Sequence, residues 1–304
     1  MSGVITNNGK NLILKLLYGD ATVSALSQIK IGDGTTTPTI ADTDVERELP
    51  ITSTIIDECD GVGTWSEAGQ GKAVSTDTDI YKEGYGTSDN TSLNITKNGG
   101  AGVGATWSFD YGSNIVMTSD DLLIWVKIID ATELAKFRTA NCLKLYVSTA
   151  GIATDFKNWS YDRADLSVGW NLLKIDVSST ADATLGATNI ATIRYFRIYY
   201  ETTNAADTNS DGDVLMDFWH RGTRYTDYME SYVSGYPTYD TSANTVTARA
   251  YIPSTQALGY QITEYGEFNT DGTKVMGSHD VVDVLSKDAT DEIAVIITHR
   301  IRDV

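Results

Sequence analysis

Ile262 to Gly277, ITEYGEFNTDGTKVMG, is a strand, a hairpin signal and a return strand. Ile262, Glu264 and Gly266 alternate with Thr263, Tyr265 and Glu267. Asn269, Thr270, Asp271 and Gly272 then supply turn chemistry, with Asp271-Gly272 suited to the positive φ of a tight turn, and the chain returns through Val275. More than two hundred residues earlier lies Ile29 to Ile51, IKIGDGTTTPTIADTDVERELPI. Its Ile29 and Ile31 share one side of a strand that runs into a polar, Thr-rich loop. No GxxxxGK[ST] or GxGxxG surrounds that GDG, so it reads as a turn and not as a phosphate cradle.

Taken together, Gly32, Asp33 and Gly34 in the early segment and Glu264, Gly266, Phe268, Asp271 and Gly272 in the late one resemble the two halves of the N-terminal domain of tailed-phage tail-collar fibre proteins. The resemblance covers about residues 1–56 and 223–304. It implies one β-rich docking domain split in sequence, and no long fibre, because no shaft follows.

The middle of the chain has a different composition. All six tryptophans, from Trp65 to Trp219, and both cysteines, Cys59 and Cys142, fall between Asp57 and Gly222, as they would in an inserted domain with its own core. Short strands recur there between Gly, Asn, Asp and Ser clusters. In NLLKIDVSS, Leu173, Ile175 and Val177 face one way and Lys174 and Asp176 the other. LLIWVKII and IRYFRIYY read as apolar on both faces, and only Ala131 to Phe137 looks helical. This spacing predicts a β-sandwich. Glu83, Gly84, Ser92, Leu93, Gly169, Trp170, Gly212 and Asp217 fall in the order seen in jelly-roll carbohydrate-binding modules, which residues 57–222 resemble. Phe218 departs from that pattern, since those modules carry a second Asp there beside a buried metal.

In the flanks, Leu12, Ile13, Leu16 and Leu17 form one face of a helix after Asn8, stopped by Gly19. That face is expected either to close the domain's core or to pack on a neighbouring subunit. Val246, Ala248, Ala250 and Ile252 alternate inward, and Ile293, Val295, Ile297 and Ile301 share a face of the last strand.

The chain has 304 residues and a net charge of −18. That charge argues against nucleic-acid and anionic-membrane partners. No apolar run approaches a membrane span, and the polar start carries no export signal, so the expectation is folding in a host cytoplasm. His220, His279 and His299 sit in no HExxH or HxH spacing and no GxSxG is present, so no catalytic residues are assigned. Trp107 with Tyr111, and Trp159 with Tyr161, are spaced to offer paired rings to a glycan, or else to fill the core. Asp207, Asn209, Asp211 and Asp213 repeat the start of a calcium loop, with Asp217 as a substitute for the missing position-twelve ligand, so structural Ca²⁺ is expected there unless the stretch is a plain acidic hairpin.

The sequence therefore predicts a mainly β protein: a split docking domain (1–56 plus 223–304) carrying an inserted jelly roll (57–222). The resemblances imply a tailed-phage virion protein docked at tail, neck or capsid, bound to other virion proteins and to copies of itself as a homotrimer, with the jelly roll displayed towards cell-surface glycan. A capsid decoration or turret protein, or a free carbohydrate-binding or glycan-hydrolysing module, are the alternatives.

Overall fold

The computed structural model describes residues 3–82, 91–224, 226–271, 274–288 and 290–300. Glu83, Gly84, Gly272 and Ile301, singled out above, lie outside them. The protein is mainly β, with every strand pairing antiparallel, and divides into two units: Met1–Ser53 with Arg224–Val304, and Thr54–Thr223. No helix among the described residues is long and apolar enough to cross a membrane.

In the first unit the two distant segments meet in one sheet. Strand Gln261–Asn269 pairs with Leu26–Gly32 on one side and with Met276–Ser286 on the other. A separate sheet joins Thr238–Asp240, Thr245–Ile252 and Ile293–Arg300, with Ala248, Ala250 and Ile252 buried as the alternation requires.

What ties the halves together is a carboxylate. Glu264 is fully buried, and its oxygens accept the backbone N–H groups of Gly34 (3.1 Å), Glu46 (3.0 Å) and Arg47 (2.9 Å). The imidazole of His279 lies 2.8 Å from the same carboxylate and 2.7 Å from Asp42. The glycines of the GDG turn let the loop come this close, because a Cβ on Gly32 would sit 2.3 Å from Glu264 Oε1, and one on Gly34 2.6 Å. Nearby, buried Lys30 pairs with Asp44 and Glu48 and lies over the Phe268 ring. Glu267 accepts from Tyr232 and Ser278 (both 2.6 Å) and pairs with His299.

The helix spans Asn7–Leu17 and is capped by Thr6, whose hydroxyl accepts from Gly9 N. Of the apolar face expected from the sequence only Leu12 is buried, while Ile13, Leu16 and Leu17 are exposed. The helix approaches strand Met276–Ser286 through its first turns, where a Cβ on Gly9 would lie 2.1 Å from the Gly277 carbonyl oxygen.

The second unit is a sandwich of two six-stranded sheets. In one, strands run in the order Ala183–Leu185, Phe156–Tyr161, Leu143–Ser148, Ile193–Glu201, Gly104–Ile115, Ser66–Gly69. The other orders Gly169–Asp176, Asp120–Ile128, Val214–Thr223, Ser92–Asn94 and Ser75–Asp77, with Thr54–Asp57 also on Val214–Thr223. Between them lies one core, in which Trp65, Phe109, Phe196 and Trp219 touch ring to ring and Trp107 stacks on Tyr200. Phe218 takes a left-handed φ of 53°, and the register of its strand shifts there. Thr54–Asp57 pairs with Trp219 to Arg221, so the strands by which the chain enters and leaves the sandwich lie side by side.

Candidate functional site

Strand alternation decides which residues of the first sheet face the core. In Ile193–Glu201, Phe196, Ile198 and Tyr200 point inward and are buried, so Tyr195, Arg197 and Tyr199 point outward, half exposed. The expectation that IRYFRIYY is apolar on both faces is thus corrected: one face is Tyr-Arg-Tyr. On the neighbouring strand Leu143, Leu145 and Val147 are buried, and Lys144 and Tyr146 face out.

Cross-strand register arranges these side chains in three rows. Asn158, Tyr146, Arg197 and Ser108 form the central row. Beside it run Ser160, Lys144, Tyr199 and Thr106 on one side, and Ser148, Tyr195 and Asp110 on the other. Arg197 Nε donates to Ser108 Oγ at 2.7 Å, and its guanidinium lies 5.7 Å from the Tyr146 ring. Phe156 meets the same ring edge-on at 5.1 Å, and Lys144 Nζ stands 5.1 Å from the Tyr199 ring. Burial pushes the Tyr146 hydroxyl up, while burial pulls Arg197 below its ordinary value.

Two carboxylates beside the rings, Asp110 and Glu201, are paired with arginines. Asp110 is held by Arg194 through two bonds, 2.6 and 2.7 Å, which lower its pKa. Glu201 takes a bond of 2.7 Å from Arg138 and another from the Tyr199 hydroxyl. Burial raises the Glu201 pKa, but those bonds outweigh it and the net shift is downward. Tyr199 is itself pushed well up, by burial first and by Glu201 next. Its ring is seated against Gly104, where a Cβ would come within 2.2 Å of the hydroxyl. At these strand ends is an open cleft of ≈ 420 Å³ lined by Val103, Arg138, Thr139, Ala140, Thr202 and Thr203.

The ring pairs expected from the sequence lie elsewhere. Trp107 is fully buried and donates Nε1 to the Lys72 carbonyl at 3.0 Å. Trp159 is 8% exposed and donates to Ser179 Oγ at 2.9 Å. Tyr161 donates its hydroxyl to the Lys174 carbonyl, and both Tyr161 and Tyr111 pack against the core. All four share the inward parity of their strands, so they offer no ring platform.

In the acidic loop each of the expected calcium ligands is engaged by a donor of the protein. Asp207 accepts from Asn204 N, Asn209 from Lys97 N and the Tyr200 hydroxyl, Asp211 from Thr96 Oγ1 and Asp213 from Ser210 N. Asp217, fully buried on its strand, accepts from Lys82 N. Each side chain serves a different donor, and among the described residues no three His, Cys, Asp or Glu side chains are placed to share a metal ion.

No family model and no curated protein matches the chain. Among solved structures it is similar to a family 11 carbohydrate-binding module from Clostridium thermocellum in complex with a β-1,3-1,4-mixed-linked tetrasaccharide, with TM-score 0.35, 13% identity, and 65% of this chain and 96% of that one covered. It is also similar to a family 61 module in complex with β-1,4-galactotriose, with TM-score 0.32, 13% identity, and coverage of 54% and 91%. A third is the CBM22-1 xylan-binding domain from Paenibacillus barcinonensis Xyn10C, with TM-score 0.30, 14% identity, and coverage of 60% and 97%. Scores and identities this low leave function to the residues.

Proposed function

We propose that the sandwich is a non-catalytic glycan-binding module whose ligand lies along the outer face of the sheet containing Ile193–Glu201. The observation that supports this is the block of Tyr146, Arg197, Lys144 and Tyr199 on two adjacent strands, half exposed in the middle of a sheet. Tyrosine rings offer apolar faces to the C–H surface of a sugar, and the amphipathic ring keeps a polar end for its hydroxyls. Ser108, Ser160 and the charged groups around the rings give the hydrogen-bonding partners an extended polysaccharide needs. Asp110 and Glu201 are both locked to arginines, an arrangement suited to holding the platform and not to proton transfer. The test is affinity electrophoresis in gels cast with a panel of polysaccharides. Retardation by one of them, lost in Tyr146→Ala and Tyr199→Ala, supports the reading; no retardation by any overturns it.

A second reading concerns what carries the module. The Glu264 carboxylate and the GDG turn unite the two segments that resemble the tail-collar docking domain, and the exposed Ile13, Leu16 and Leu17 offer a surface for a neighbouring copy. We therefore retain the proposal of a virion protein, made in the host cytoplasm, that docks on the particle through the split unit as a homotrimer. Many weak glycan contacts would then sum to avidity. Antibody labelling of particles in the electron microscope tests the location, and light scattering that gives a monomer would refute the trimer.

A further inference from the structure

We infer that the glycan taken by this sheet face bears an oxyanion, a uronate carboxylate or a sulfate ester, and that Arg197 is the residue that selects it. This deepens the glycan-binding reading above and rests on it.

The chain carries 41 Asp and Glu against 23 Lys and Arg, so a cation on its surface has partners in excess. Arg194 and Arg138, at the rim of the face, have each taken one. Arg197, in the centre, has not. Among the described residues its only contacts are Ser108 Oγ at Nε and the ring of Tyr146. Neither terminal nitrogen has a hydrogen-bond partner among the described residues, and neither is sealed from solvent. Burial already disfavours its charge, and no carboxylate among the described residues offsets that cost. A planar guanidinium with both terminal nitrogens unpartnered and reachable from solvent fits a carboxylate or sulfate through two parallel bonds.

Lys144 lies on the diagonal of the same block, opposite Tyr199 as Arg197 is opposite Tyr146. It too has a ring and no carboxylate within ion-pair distance among the described residues. Lys144 nevertheless feels Glu201, whose pKa it helps to lower, so Arg197 is the cation of this block that no carboxylate among the described residues offsets, in a protein of net charge −18. The surrounding field repels polyanions in general, so attraction confined to this block would discriminate by geometry instead of by bulk charge.

The experiment compares matched polymers in affinity gels at physiological salt: polygalacturonate with its carboxyl-reduced form, and dextran sulfate with dextran. The intact chain should bind one acidic polymer roughly tenfold to a hundredfold more tightly than its neutral counterpart, the range expected for hydrogen bonds to a charged group. Which acidic polymer is retarded distinguishes carboxylate from sulfate. Arg197→Met should erase that preference, Arg197→Lys should keep part of it, and Tyr199→Ala should weaken acidic and neutral binding together. Near-UV circular dichroism matching the wild type shows that the variants are folded, and if Arg197→Met is not, the comparison is made with Arg197→Lys and Lys144→Met. Equal binding of acidic and neutral partners overturns the oxyanion inference and leaves the glycan-binding reading standing. A preference that survives in Arg197→Met removes Arg197 from the role. No retardation by these four or by the wider panel overturns both readings.

Discussion

Replacing Glu264 by Ala should destabilise the split unit and spare the sandwich. The substitution removes the acceptor of three backbone N–H groups and the partner of His279 at 2.8 Å, all at a site with no solvent exposure. Hydrogen bonds to a charged group contribute ~1.5–3 kcal/mol each, but water entering the vacated space recovers part of that. Breaking a buried charge pair by deleting one partner costs about 3–5 kcal/mol, and about 4 kcal/mol lowers the melting temperature of a unit this size by roughly 10–15 °C. Glu264→Gln keeps the shape and one acceptor, so about half that loss is expected. The protein contains its own reporter, because every tryptophan lies in the sandwich. Tryptophan fluorescence during urea unfolding follows that unit alone, and far-UV circular dichroism follows both. In Glu264→Ala a dichroism transition should move to lower urea while the fluorescence midpoint stays put. A variant whose dichroism curve overlays the wild type, or whose shift appears in fluorescence alone, would refute the keystone role of this carboxylate.

Four further outcomes follow from the same contacts. Burial opposes the charge on His279, but its bonds to Glu264 and Asp42 outweigh that and raise its pKa above 6.5; the bond to Glu267 does the same for His299. Glu264 and Glu267 are net lowered from 4.5 despite burial. The histidine contribution is complete below about pH 6.5 and lost as pH rises through the raised values, and the carboxylate contribution is complete above about pH 4.5 and lost on acidification. The split unit should thus be most stable between these limits, and a dichroism midpoint that climbs steadily from pH 6 to 9 would contradict this. Gly104→Ala should unseat the Tyr199 ring and weaken polysaccharide binding several-fold with little loss of stability, read by affinity gel and thermal melt together; unchanged binding would show that the seat is irrelevant. Residues 54–223 expressed alone should melt cooperatively and at higher temperature than residues 57–222, which lack most of strand Thr54–Asp57 and the buried Ile56; identical melts would count against that boundary. Because the acidic-loop oxygens serve separate donors, calcium and a chelator should give the same melting temperature, and a chelator-sensitive melt would restore the loop as a calcium site.

Much of the fold could be read from local periodicity, and the candidate site could not. Alternation in NLLKIDVSS fixes which side chains enter the core, and the confinement of tryptophan to the middle of the chain marks a second core. The IRYFRIYY strand misleads because tyrosine counts as apolar in such a reading, although its outward ring is half wet; its signal is the Tyr-Arg-Tyr parity of Tyr195, Arg197 and Tyr199. Tryptophan misleads in the opposite sense, since the rings that suggest a sugar platform, Trp107 and Trp159, are the ones a sandwich needs inside. The pairing of the GDG turn with Glu264 is visible as a pattern, whereas the roles of His279 and Asp42 depend on contacts between distant residues that no local spacing encodes.

The central claim, glycan held on the Tyr-Arg-Tyr face, is tested most directly by hydroxyl-radical footprinting of the whole protein with and without a saturating amount of the polysaccharide that retards it. Tyr146, Tyr195 and Tyr199 should lose reactivity on binding, while Tyr18 and Tyr239, which are 88% and 72% exposed in the other unit, should be oxidised equally in both samples. Protection confined to tyrosines outside that sheet face, with Tyr146 and Tyr199 oxidised at the free rate, would contradict it.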